Sequence, residues 1–316
     1  MMDRTTSSKG VLMSAVFEDL RPLLFSIAYR MVGRVAEAED IVQEAFLRYH
    51  RALVEEHTEI ESPKAYLSAV TTRLAIDHLR SARVRKETYV GEWLPEPLLT
   101  DDHDASESTE EADSVSMAFL LLLERLSPVE RAVFLLHDVF DYGYDEVARI
   151  VGKTVDNTRQ LAVRARRHVD ENRPRFDASR EQREKLADRF FDAVRGGRME
   201  DLLHALAADV IVYGDGGGGS PSWRHPIYGR DKVSRLLLGI GRHTEQMGAT
   251  IRRTEVNGQP GAMFIAPDGS LMYVMTVDIA DGVVQTVRSV IARDKLQHLG
   301  PLADVRAMLH ARQGEP

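Results

Sequence analysis

Six polar side chains, Asp156, Asn157, Arg159, Gln160, Arg164 and Arg167, crowd into one short stretch. Around them, residues 153–175 carry Lys153, Arg159, Arg164, Arg166, Arg167, Arg173 and Arg175 against three acids. Carboxamides and guanidinium groups in a helix can bond base edges, and surplus cations can hold phosphates. A second basic run holds Arg73, Arg80, Arg83, Arg85 and Lys86 against Asp77 alone. Arg73, Asp77 and Arg80 are spaced to share one helical face, where Arg73 and Asp77 can also simply pair with each other. Asp40, Gln43 and Glu44 lie within about one turn and give a polar, acidic face that suits a protein partner or plain solvation. Farther on, Asp215 and His225 are an acid and a base that can work beside a pocket lined by Tyr213, Trp223, Tyr228, Met275 and Arg288. The plainer reading is preferred for this pair. Asp215 opens the glycine run Gly216–Gly219, His225 precedes Pro226 in a loop, and no catalytic residue is assigned. Glycines permit close backbone approach, so Asp215, Gly216, Gly217 and Gly218 also suit a contact surface.

These side chains need elements to aim them. Tyr144–Val151, the turn Gly152-Lys153-Thr154 and a helix from about 155 to 169 make a helical hairpin. Ala148 is small enough for a close crossing, and Val147, Ile150, Val155, Leu161 and Val163 are placed to pack it. That leaves Asp156, Asn157, Arg159, Gln160 and Arg164 outward near the start of the second helix, as a recognition helix requires. Gly152-Lys153-Thr154 is not a phosphate loop, because that motif would need glycine where Val147 stands. Apolar periodicity predicts earlier helices over 15–32, ended by Gly33, over 36–53, and from Ser62-Pro63 into the basic run. Ser127-Pro128-x-Glu130 predicts another capped helix start. Trp93-Leu-Pro-Glu-Pro97 reads as stiff and extended, with Trp93 as a contact anchor, and the acidic stretch after it as a mobile tether. From 180 the pattern changes. Helices at 180–195, 199–207 and 230–239 and a strand at 210–213 precede four alternating segments, 249–256, 261–266, 271–279 and 283–291. Asp268-Gly269 and Asp281-Gly282 mark hairpins, and the whole implies an α+β domain.

The bulk numbers fit several domains in 316 residues. With no cysteine, disulfides and thiolate sites are excluded, and a reducing cytoplasmic location is expected. No apolar run reaches membrane-span length, and the polar start lacks a secretory core, so no membrane partner is expected. Scattered histidines give no metal site, and no cofactor is expected. The net charge of −8 hides segregation: residues 92–114 carry nine acids and no Lys or Arg, between two basic blocks. Local patches, not the total, govern binding to DNA.

The order of these motifs resembles the extracytoplasmic-function sigma factors of the sigma-70 family over about residues 14–170. Residues 14–90 look like region 2, 91–113 like the linker, and 114–175 like region 4 with its helix-turn-helix. The resemblance implies two all-α domains, no enzymatic activity, and promoter-specific transcription initiation with core RNA polymerase and promoter DNA as partners. It places Asp40, Gln43 and Glu44 on the β′ clamp helices and region 4 at the β flap. Arg73, Asp77, Arg80, Arg83, Arg85 and Lys86 fall on the −10 element and melted strand, and the loop 54–62 on −10 selection. Asp156, Asn157, Arg159, Gln160, Arg164 and Arg167 fall on the −35 element. Thr72 stands where family members often carry asparagine. Residues 180–300 resemble a SnoaL-like domain of the NTF2-like superfamily. Trp93–Pro97, Asp215–Gly218 and Arg293-Asp294-Lys295-Leu296 resemble three motifs of a subgroup that carries this domain as a fused regulator. There, lysine replaces Gly219 and Asn-Pro replaces Ala292-Arg293. Trp93, Tyr213, Asp215, His225, Arg288, Asp294 and Lys295 are the expected regulatory contacts, with a small molecule or protein as a possible regulator. Two other readings stay open from the residues alone: a one-component helix-turn-helix regulator, and a cyclase or isomerase with a DNA-binding appendage.

Overall fold

The computed structural model describes the backbone of residues 3–86, 89, 91–100, 114–171 and 179–313, and side chains within 15–81, 89, 91–100, 114–171 and 179–309. Two compact units emerge. One contains residues 1–87 and 122–173, the other 88–121 and 174–316. The segment read as a linker therefore groups with the C-terminal residues, while both helical modules share the first unit. The acidic stretch 101–113 lies outside the described residues.

The helical unit opens with α1 (Asp3–Val32), α2 (Val35–Val54) and α3 (Pro63–Lys86). α1 starts well before its apolar pattern, since a helix nucleated on an amphipathic segment extends cheaply into polar residues. Ser62 caps α3 by accepting the Ala65 N–H at 3.2 Å. Most of a short helix, α4 (Met117–Leu123), groups with the C-terminal unit, and the helical unit resumes at residue 122 and continues into α5 (Pro128–Phe134), which begins with a full capping box between Ser127 and Glu130 and runs into one π turn, Leu135–Val139. α6 (Tyr144–Val151) and α7 (Val155–Asp170) complete the unit. Its core is shared between the modules: Ile27 of α1 packs with Val133, Leu136, Tyr142, Val147, Ile150 and Leu161. Buried Arg131 donates to the Met31 carbonyl. Burial lowers its pKa to about 10, so the cation persists at neutral pH.

In the C-terminal unit, α8 (Arg180–Arg195) and α9 (Met199–Ala205) lead into β1 (Leu206–Asp215), then β2 (Ile227–Tyr228) and α10 (Arg230–Gln246). β3 (Thr250–Val256), β4 (Gln259–Ile265), β5 (Leu271–Ala280) and β6 (Val283–Val290) follow, then α11 (Val305–Gln313). The sheet order is β2-β1-β6-β5-β4-β3. The β3–β6 run is an antiparallel meander, while β1 joins β6 in parallel. Asp281 and Gly282 both take positive φ in the β5–β6 turn, and Asn257 and Gly258 do so in the β3–β4 turn. Phe190, Val194, Leu237, Phe264, Met275 and Val287 join helices to sheet in one core. α10 passes through Gly239 and Gly241, beyond the expected end at 239. This is an α+β architecture, with helices packed on a six-stranded, mostly antiparallel sheet. No helix among the described residues is long and apolar enough to cross a membrane.

Candidate functional site

The hairpin α6–α7 turns at Gly152, whose backbone sits at φ 67°, ψ 43°, a left-handed conformation that glycine adopts without Cβ strain. Thr154 caps α7 by accepting the Asn157 N–H at 3.3 Å. Thr158, Leu161, Ala162, Ala165 and Val169 face inward. Val155 is half-buried, but Val163, expected to pack the pair, is 61% exposed. Helical spacing puts it with Asp156, Gln160 and Arg167 on the open face, while Ala162 takes the packing position. Asp156, Asn157, Arg159, Gln160, Arg164 and Arg167 are all exposed. Arg159 approaches Asp156 at 3.5 Å, Arg164 approaches Glu130 at 3.6 Å, and Arg167 pairs with Glu171 at 3.0 Å. Exposed pairs of this kind contribute little and exchange readily for phosphate or base contacts.

On α2, Asp40 and Gln43 are exposed and Glu44 is half-buried, bonded to Arg48 at 2.7 Å. Leu47 extends the stripe and is 61% exposed, an apolar residue the motif reading missed. On α3, Asp77 pairs with Arg80 at 3.3 Å rather than with Arg73. Arg73 instead donates to the carbonyls of Arg149 and Ile150, both at 2.9 Å. These are end carbonyls of α6, which a cation satisfies well. Ser68 and Tyr142 hydroxyls meet at 2.7 Å in the same seam. The backbone of α3 continues through Arg83, Arg85 and Lys86, whose side chains lie outside the described residues. The loop 54–62 is largely exposed.

The C-terminal unit builds its most enclosed polar site around Asp215, which is fully buried. One carboxylate oxygen accepts from the Tyr89 hydroxyl at 2.5 Å and the Gly217 N–H at 3.0 Å. The other accepts from the Leu94 N–H at 2.8 Å and the Lys295 ammonium at 2.6 Å. Lys295, also fully buried, donates to the Leu94 carbonyl at 2.5 Å and lies 4.3 Å from the Trp93 ring centre and 4.8 Å from that of Tyr89. One ion pair thus holds both backbone groups of Leu94, with two aromatic faces against the cation. Leu94 itself is the buried anchor, packed with Met117, Val256, Leu271, Val274 and Leu296, while Trp93 is half-buried. Gly216 to Gly218 make the turn that lets this happen. A Cβ on Gly216 would stand 2.6 Å from the Ser220 carbonyl, and one on Gly217 would press Ala292 and the Asp294 carboxylate.

Farther along, the extended segment stays bound. His298 bonds the Pro97 carbonyl at 2.8 Å. Asn257 accepts the Leu98 N–H at 3.0 Å, and its backbone N–H donates to the Leu98 carbonyl at 2.8 Å. The Thr100 hydroxyl donates to Glu255 at 2.8 Å. Asn257 was missed in the sequence, although Asn257-Gly258 is a strong turn signal. The other expected pocket residues do not gather. Arg288 pairs with Asp278 beneath Tyr213, Met275 is core, and His225 and Tyr228 are exposed. Of the set, Trp223 alone borders the large cavity beside α10. Asp215 already receives four donors, so it makes no acid–base pair with exposed His225.

A helix-turn-helix with an open polar face, a three-helix module with an acidic stripe and a basic helix, and a fused α+β domain define a DNA-binding factor of modular build. The sigma-70 region 2 family matches residues 16–85, and the sigma-70 region 4 family matches residues 116–169. The ECF RNA polymerase sigma factor SigJ of Mycobacterium tuberculosis is 36% identical over 301 residues, covering 92% of this chain and 95% of that protein. The probable ECF RNA polymerase sigma factor SigI of the same species is 31% identical over 288 residues, covering 90% and 95%. The crystal structure of SigJ superposes with a TM-score of 0.72 at 34% identity, covering 92% of this chain and all of that one. The chain belongs to the extracytoplasmic function sigma factors of the sigma-70 family. It directs promoter-specific transcription initiation and binds core RNA polymerase and promoter DNA.

Proposed function

We propose that this sigma factor acts in the cytoplasm and is regulated by its own C-terminal domain through the linker. The observation that carries this reading is the buried Asp215–Lys295 pair gripping both backbone groups of Leu94. Anchoring residues 93–100 removes roughly 26 Å of extended reach from the tether between regions 2 and 4. In this reading Asp40, Gln43, Glu44 and Leu47 dock on the β′ clamp helices and region 4 meets the β flap. α7 reads the −35 element through Asp156 to Arg167, and α3 from Arg73 to Lys86 with the loop 54–62 serves the −10 element and melted strand. The two elements lie about 25 base pairs apart, or roughly 85 Å of B-DNA. In this reading regions 2 and 4 part at the Arg73 seam to engage both elements.

In vitro transcription tests this. Core polymerase and the promoter of the protein's own gene are supplied with the full chain or with Lys295→Gln. The expected result is a promoter-specific transcript from the full chain and a changed yield from the variant. An unchanged yield with normal folding would overturn regulation through the linker.

A further inference from the structure

α10 contains two glycines, and only one has a packing reason. A Cβ on Gly241 would lie 2.1 Å from the Val194 carbonyl, so that glycine lets α8 and α10 approach. A Cβ on Gly239 would meet nothing within 4 Å, and its φ is ordinary. Glycine is less favourable than alanine inside a helix. Gly239 gives no contact in return; what it leaves open is a cavity of about 560 Å³ that it lines. That volume suits a small-molecule site.

The lining defines the chemistry. Trp223, Ile240, Met247, Met272, Tyr273 and Leu309 make it mainly apolar, and the residues around it include Arg235 and His243 but no Asp or Glu. In a chain of net charge −8, a wall with the Arg235 cation and no acid selects for an anion. Arg235 is exposed and makes no ion pair among the described residues. The Tyr273 hydroxyl is already held by Thr244 at 3.2 Å, and burial pushes its pKa above the usual range, so it contributes a neutral wall.

We propose that this cavity binds a small apolar molecule carrying one carboxylate, with the acid at Arg235 and the body against Trp223, Ile240 and Met272. The proposal rests on the regulatory reading for its consequence alone. Ile291 lines the cavity, and its backbone N–H donates to the Asp215 carbonyl at 2.8 Å, so the two sites share a strand end.

Calorimetric titration of the full-length protein measures binding separately from transcription. Octanoate and 1-naphthoate represent flexible and rigid acids, and 1-octanol and 1-naphthalenemethanol are their neutral counterparts. At least one acid is expected to bind, about ten-fold more tightly than its neutral counterpart, and Arg235→Gln is expected to remove about that factor. Gly239→Phe fills the cavity and is expected to abolish binding while the circular dichroism spectrum stays unchanged. No binding of either acid up to about 1 mM overturns the proposal. So does equal affinity for acid and alcohol, or undiminished binding to both variants. Should Gly239→Phe misfold, Arg235→Gln decides alone, because its side chain is on the surface.

Discussion

Lys295 has no contact with water, and its ammonium depends on Asp215, the Leu94 carbonyl and two aromatic faces. Removing one partner of a buried pair leaves an uncompensated charge, so Lys295→Met is expected to destabilise the C-terminal unit by about 3–5 kcal/mol. Urea denaturation measures this, and the double variant Asp215→Leu, Lys295→Met should regain much of the loss. A double variant as unstable as the single one would mean that the pair does more than neutralise itself. On α7 the argument concerns specificity. Arg164→Ala should weaken −35 binding by about 1–3 kcal/mol if its guanidinium bonds a base. Val163 is exposed on that face, and its methyl groups suit a thymine methyl. Val163→Ser should leave the helix folded and lower affinity only for sites with thymine at the facing position. A loss equal across all sequences in a binding series would place Val163 away from the bases.

The elements were legible to different depths. Period 3.6, the Ser127–Glu130 box and Gly152 located the helices of regions 2 and 4, because each signal is local. α10 was cut short in the sequence because glycine reads as a stop. Tertiary packing against Val194 overrides that, and the helix runs to Gln246. Asp215 stood out as a motif residue, but its four donors come from residues 89, 94, 217 and 295, and no local pattern brings those together. The extended segment 93–100 carries a pH prediction of its own. Burial lowers the His298 pKa below its usual value, with the Pro97 carbonyl bond opposing. The bound linker thus prefers neutral imidazole, while a released linker leaves His298 free to protonate near pH 6.5. Stability from this contact is present above that value and is lost as pH falls through the lowered one. After correction for intrinsic rates, the Leu94 and Leu98 amides should exchange faster at pH 5.5 than at 7.5, and His298→Gln should flatten the difference. Exchange that stays constant in the wild type would exclude His298 as the cause.

At the scale of the helical unit, one arginine stands where two requirements conflict. Arg73 belongs to the face assigned to the −10 element, yet its guanidinium closes the end of α6 through two carbonyls. It cannot serve both at once. Ile27, Ser68 and Tyr142 strengthen the closed form, so Arg73 alone does not hold it. Because the guanidinium is partly exposed, its loss should cost about 1 kcal/mol, shifting the closed-to-open ratio about five-fold. The chain has no cysteine, so Glu61→Cys and Lys153→Cys, both at exposed positions, accept a donor and acceptor dye without competing thiols. Energy transfer between them should be high in the free protein and fall when core polymerase and promoter are added. Arg73→Ala should lower it modestly without either partner. If transfer stayed high in the transcribing complex, regions 2 and 4 would engage DNA without parting, and the Arg73 seam would be a permanent part of the DNA-bound fold.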